Sequence, residues 1–240
     1  MKKRSPNANY VNRLMSQTFS LRRKEIVEEQ PSVKQMLERW PALFRKQQVL
    51  AEFTRVASRD LEQDFIQSLD RHTPRLLEIF KSKKGVIGNT LSEILVQVER
   101  RTSDVVATRT AVLRCLSVFL GDDGREFYNI SFDSDAMADF TQVPVGLLTV
   151  IPEVSQQPGP NALHLEPSSI GIILEGTIVM DDIKSHDQAI CLIFGLIYAL
   201  HLDYPKCLKN TFEFIQRVML SLGVGNLRPK LQSLKNALLQ

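Results

Sequence analysis

Four histidines, His72, His164, His186 and His201, are the side chains best suited to proton transfer or metal binding near neutral pH, and they stand far apart in the chain. None forms an HxH or HExxH arrangement, so no metal site follows from their spacing. His201, in Leu200-His201-Leu202-Asp203-Tyr204, reads as a helix-end imidazole held by a carbonyl or by Asp203. Asp133 and Asp135 open a DxD pattern within an acidic stretch that also holds Asp122, Asp123 and Asp139. Met137 and Ala138 then occupy the places of an oxygen ligand and the turn glycine, and Pro144 that of the bidentate glutamate. A solvated loop fits better than a calcium site. Asp181-Asp182, after an apolar run, reads as a turn rather than a magnesium site. Lys83-Lys84-Gly85-Val86-Ile87-Gly88 has phosphate-loop residues in the wrong order, with lysines closing a helix where they should open one. There is no GxGxxG and no GxSxG, and Ser168-Ser169 lacks the glycines of a nucleophile turn. The expectation is a protein with no catalytic residues, no metal ligands and no cofactor.

Charge carries the remaining chemistry. Seven of the 30 Lys and Arg residues fall in the first 24 positions, which contain no acid, and the other 23 face all 27 acids. A basic arm on an acidic body can dock on phosphate or on an acidic protein, with Arg13, Arg22, Arg23 and Lys24 as the candidate contacts. The plainer alternative is a solubilising tail in which Lys24 pairs with Glu28 along a helix. Lys2-Lys3-Arg4 resembles a weak nuclear-import cluster.

The elements behind these residues are mostly helical. A hydrophobic content of 43 % with 24 % charge in 240 residues describes a folded body. The expected division is a basic arm over 1–30 and one domain over 31–240. Ser32 and Gln35 spell a capping box, with Val33, Met36, Leu37 and Trp40 at helical spacing and Pro41 after them. Apolar stripes follow at Val49 to Ala57 and Leu61 to Leu69, and Thr73-Pro74 reads as the start of a new helix. Ile87, Leu91, Ile94, Leu95 and Val98 close this block.

Ala111 to Leu120 is too densely apolar for a period to be read, and its first half is assigned to a strand; Gly121-Asp122-Asp123-Gly124 ends it. Gln142 to Ile151 reads as a strand at a sheet edge near its start, and Gln156 to Asn161 as a surface loop. Ile170–Leu174 and Thr177–Met180 flank Glu175-Gly176 as a hairpin. Ala189 to Leu200 reads as a buried helix, since its 12 residues fall short of the roughly 20 that span a bilayer. Leu208 to Leu222 and Leu227 to Leu238 give two more helical stripes. Three cysteines with no CxxC pair point to free thiols in a reducing compartment. With no secretory signal expected, the location implied is cytoplasmic or nuclear.

Leu21 to Val27, Glu38 to Phe44, Gln142 to Gly146, Ser169 to Gly176 and Phe194 to Leu200 resemble the sterile alpha motif domain-containing protein 3-like family. The resemblance runs from about Tyr10 to the end and corresponds to the region after the SAM domain, which is not expected within these residues. It implies association with other proteins and transfers no activity. The resulting expectation is a predominantly helical α+β protein with a sheet of three or four strands from about residues 111 to 181. Its function is that of a non-catalytic intracellular protein-interaction module, with Trp40, Phe44 and Tyr204 as partner anchors if exposed and as core residues otherwise. The alternative is a nucleic-acid adaptor acting through the arm.

Overall fold

The computed structural model describes residues 7–101, 103–134, 139–153 and 159–240. Ten α-helices surround a four-stranded mixed sheet among these residues, a predominantly helical α+β fold. Lys2, Lys3 and Arg4, the Asp135–Ala138 part of the acidic loop and Gln156–Pro158 lie outside the described residues.

The N-terminal layer is α1 (Ala8–Gln17), α2 (Phe19–Lys24) and α3 (Val33–Arg39). A π-turn over Glu25–Glu29 joins α2 to α3 and ends at Gln30, whose φ of 47° is left-handed. The capping box forms as the sequence predicts: Gln35 N–H donates to the Ser32 hydroxyl and the Gln35 side-chain oxygen accepts from Ser32 N–H. Next come α4 (Lys46–Ala57), α5 (Leu61–Ser82), α6 (Gly85–Leu95) and α7 (Val105–Leu120).

Two expectations need correction here. Thr73-Pro74 does not start a helix, because α5 runs through it with Pro74 inside and Thr73 Oγ1 bonded back to Leu69 C=O at 2.8 Å. Leu61, Phe65 and Leu69 before the proline and Leu76 and Phe80 after it form one buried stripe, and burying that stripe outweighs the backbone hydrogen bond lost at Pro74. The first half of Ala111 to Leu120 is not a strand either. It is the middle of α7, which is buried nearly all round, so no amphipathic period survives in its sequence.

The sheet therefore begins later than expected, with β1 (Tyr128–Phe132), β2 (Val145–Ile151), β3 (Ser169–Leu174) and β4 (Thr177–Ile183) in spatial order. β1 is parallel to β2, and the other pairs are antiparallel. β2 is an interior strand, although Val145 and Gly146 extend beyond its register with β1, which starts at Tyr128↔Leu147. Glu175 and Gly176 turn the β3–β4 hairpin with φ of 48° and 73°. The Glu175 carboxylate accepts from Val33 N–H at 2.8 Å, fixing the hairpin tip to the start of α3.

Helix α8 (His186–Leu200) is the spine of the core, with 13 of its 15 residues buried. Leu147, Thr149, Ile170 and Ile172 share the sheet face turned toward it, as Thr149 shows by contacting His186. On its other side α8 lies along α4. A side chain at Gly195 would bring its Cβ within 2.8 Å of Val49 and 3.0 Å of Leu61, so this glycine sets how closely the helices approach. The phenyl ring of Phe194 packs against Phe53, Tyr198, Tyr204 and Phe212 at centroid distances of 5.0 to 6.4 Å. α9 (Lys209–Phe214), a π-turn over Ile215–Met219 and α10 (Pro229–Leu238) close the fold. Cys115 and Cys191 are buried free thiols and Cys207 is half-buried.

Candidate functional site

The charged residues of the N-terminal layer separate into those that hold it in place and those that it presents. Hydrogen bonds from Thr18 N–H to Leu14 C=O and from Arg22 N–H to Thr18 C=O carry the helical ladder from α1 into α2. At 100° per residue, Val11, Met15, Arg22 and Ile26 then fall on one side of the joined helix, within roughly 60° of each other. Met15, Arg22 and Ile26 are buried there.

Arg22 is consequently not a surface residue. It is 0 % exposed, and its Nε and a terminal nitrogen make a two-point ion pair with Glu52 of α4 at 2.8 and 2.6 Å. Its remaining donors reach Thr18 Oγ1 and Met15 C=O, so every part of the guanidinium is used. Its place among the phosphate contacts is withdrawn: an arginine seven residues after Met15 and four before Ile26 lies on the buried stripe, and Glu52 supplies the countercharge. Arg23 is half-buried and donates to Tyr198 C=O at 3.2 Å. Lys24 is exposed and 3.9 Å from Glu28, as the tail reading expects. Arg13 is exposed, with its guanidinium over the Tyr10 ring at 5.5 Å. Over the described residues 7–30, the basic segment is folded onto α4 and α8.

A second network braces α3. Arg39 pairs with both carboxylate oxygens of Glu25 at 2.9 and 2.6 Å, and the Trp40 indole N–H donates to Glu25 at 2.9 Å. Arg22 and Arg39 lie over the Trp40 ring at 5.4 and 5.3 Å. Hydrogen bonds from Arg39 first, and from Trp40 next, pull the Glu25 carboxyl from 4.5 down to about 2. The unfolded chain therefore binds a proton that the folded chain resists between those values, and stability falls as pH drops from about 4.5 to about 2. Glu25→Gln is expected to remove this share of the acid sensitivity, read as a flatter dependence of the urea midpoint on pH across that interval.

The three anticipated anchors are engaged within the fold. Phe44 is buried at 6 % exposure, Trp40 is half-buried in the Glu25 network, and Tyr204 is half-buried against Phe194 and Phe212. They follow the core alternative: Phe44 belongs to the buried core, and Trp40 and Tyr204 pack on residues of other elements.

Exposed large apolar side chains are scattered over the described residues, Val86, Val96, Val224 and Leu239 among them, but three share one helical segment: Tyr10, Leu14 and Leu21, with 52 %, 39 % and 50 % of their surface open. On the joined helix they fall within about 40° of one another, roughly 80–140° round the axis from Met15 and Arg22. Arg13 and Lys24 lie along one edge of this stripe. The charge-based reading missed it, although the sequence signal was present: α1 and α2 carry apolar residues at helical spacing on two faces, and only one face can be buried.

His201, His164 and the Asp181-Asp182 pair are not brought together. His201 caps α8 with a left-handed φ of 56° beside Arg23 and Tyr198. Asp181 and Asp182 border a different cavity near Lys46, and His164 a third with His186. Among the described residues no three His, Cys, Asp or Glu side chains gather as a metal ion would require. No described helix is long and apolar enough to cross a membrane.

Residues 1–45 match the family model described as Sterile alpha motif domain-containing protein 3, helical domain, consistent with a sterile alpha motif domain-containing protein 3-like protein. The match covers α1, α2, α3 and Phe44, so it includes both the exposed stripe and the Glu25 network. No curated protein and no solved structure matches the chain.

Proposed function

We propose that this chain, whose first 45 residues match that helical domain, is a non-catalytic protein-interaction module that receives its partner on the outer face of α1 and α2. The observation that supports this is the stripe of Tyr10, Leu14 and Leu21 on a helix that a buried ion pair anchors along another side. Single exposed apolar residues are ordinary on protein surfaces, but three aligned on one helix face form a docking ridge. Because the Arg22–Glu52 pair holds the helix before binding, little ordering cost opposes association.

Charge narrows the partner. The first 24 residues contain no acid, and Arg13 and Lys24 border the ridge, so an acidic amphipathic helix or peptide complements it. A nucleic acid fits less well. Arg22 and Arg23 are committed to Glu52 and Tyr198, and a duplex backbone offers little to the two leucines.

The test is affinity capture from cell lysate with the full chain and with Leu14→Asp/Leu21→Asp, each with and without nuclease. Both positions are exposed, so the variant keeps its fold by circular dichroism while capture of specific proteins falls about tenfold or more. Nuclease is expected to leave the wild-type capture intact. Capture that nuclease abolishes and the double aspartate variant retains would transfer the function to nucleic acid.

A further inference from the structure

A cavity of about 460 Å³ lies between α7, β1, β2 and residues 159–164. Its size suits a small organic molecule. Arg114 projects from α7 with its guanidinium 3.8 Å from the centre of the Tyr128 ring and donates to Pro160 C=O at 3.5 Å. Among the described residues no carboxylate lies within ion-pair distance of Arg114. His164 and His186 line the same space. His186 shares a 3.1 Å hydrogen bond with Thr149 Oγ1, whereas His164 Nε2 is buried with no hydrogen-bond partner. A half-buried arginine without a counterion and a buried imidazole nitrogen without a partner are both costly unless something supplies acceptors.

We infer that this cavity binds a small phosphate monoester, its phosphate received by Arg114, His164 and His186 and its organic part by Ile94, Val118 and Leu163. A phosphate offers more acceptor oxygens than the arginine alone can use, and the two imidazoles account for the surplus. The stack on Tyr128 occupies a face of the guanidinium and leaves its N–H edges for oxygen. Burial first, and Arg114 next, lower the proton affinity of both imidazoles, His186 to about 4, so in the empty cavity the cation facing them is Arg114 alone. The other charged groups on the lining already have hydrogen-bond partners. Asp122 accepts from Asn210 and Thr211 at 2.8 and 2.7 Å, and Asp123 accepts from Arg125 at 3.0 Å. An entering dianion therefore raises the proton affinity of His164 and His186 with no competing free carboxylate among the described residues.

The probes are phenyl phosphate, inorganic phosphate and benzoate, titrated calorimetrically into the full chain, with the imidazole resonances followed by NMR. Phenyl phosphate is expected to bind saturably and at least about tenfold more tightly than benzoate, with inorganic phosphate weaker for want of the apolar contact. Bound phenyl phosphate moves the titrations of His164 and His186 to higher pH. Arg114→Gln weakens binding about tenfold or more. His164→Asn, in which asparagine suits the left-handed φ of 46°, weakens it several-fold and decides the matter should Arg114→Gln fail to fold. Absence of saturable binding, equal affinity for benzoate, or unchanged affinity in His164→Asn together with unmoved imidazole titrations would overturn the proposal.

Discussion

Glu52→Ala is expected to cost about 3–5 kcal/mol of folding stability, the penalty for leaving a fully buried guanidinium without its carboxylate. Arg22 and Glu52 are 0 % and 1 % exposed at the side chain, so neither charge can turn to water without dislodging α2 from α4. Arg55 also donates to Glu52 at 2.7 Å, but at 18 % exposure it can find solvent when the carboxylate is lost. The decisive comparison is Arg22→Met/Glu52→Leu. Replacing both charges by apolar side chains of similar size is expected to return most of the loss, because the penalty arises from the orphaned charge and only partly from the attraction itself. Urea unfolding of Arg22→Met, Glu52→Leu and the double variant closes the cycle. A single variant costing under about 1 kcal/mol would mean that the pair is hydrated in solution.

Phe194→Ala is expected to cost a similar amount, about 3–5 kcal/mol, for a different reason. Its ring is wholly buried and touches residues of α4, α8, α9 and the segment after α8, so no single neighbour can move to fill the space. In a chain of this length the loss appears as a fall of about 10 °C or more in Tm. Phe194→Leu, which keeps most of the volume, should recover much of it. A Phe194→Ala loss below about 1 kcal/mol would show that the aromatic cluster collapses around the gap.

Local chemistry made part of this fold legible. The Ser32/Gln35 capping box and the Glu175-Gly176 hairpin each follow from two or three neighbouring residues whose backbone needs are specific. Elements defined by their surroundings were harder to see. α7 contacts helices on several sides, which removes the polar face that would have marked it as helical. Pro74 reads as a boundary until the apolar spacing is followed across it to Leu76 and Phe80. β1 lies at the sheet edge and pairs parallel to β2, a contact that no local turn announces.

The N-terminal site divided in the same way. Lys24 and Arg13 are exposed as their charge suggested, but the fate of Arg22 depended on a glutamate 30 positions away. The ridge of Tyr10, Leu14 and Leu21 is encoded locally, by a second apolar stripe on a helix that can bury only one.

The pairing of α4 with α8 also bears on how the chain is made. Val49 and Phe53 are buried against residues some 140 positions later, so a nascent chain emerging from its N-terminus must present them to water until α8 has followed. Contacts of such sequence separation slow folding and keep the early helices dependent on the late one. A ribosome that stalls before His186 therefore holds a set of amphipathic helices with no spine to close on, a substrate for chaperones until synthesis resumes.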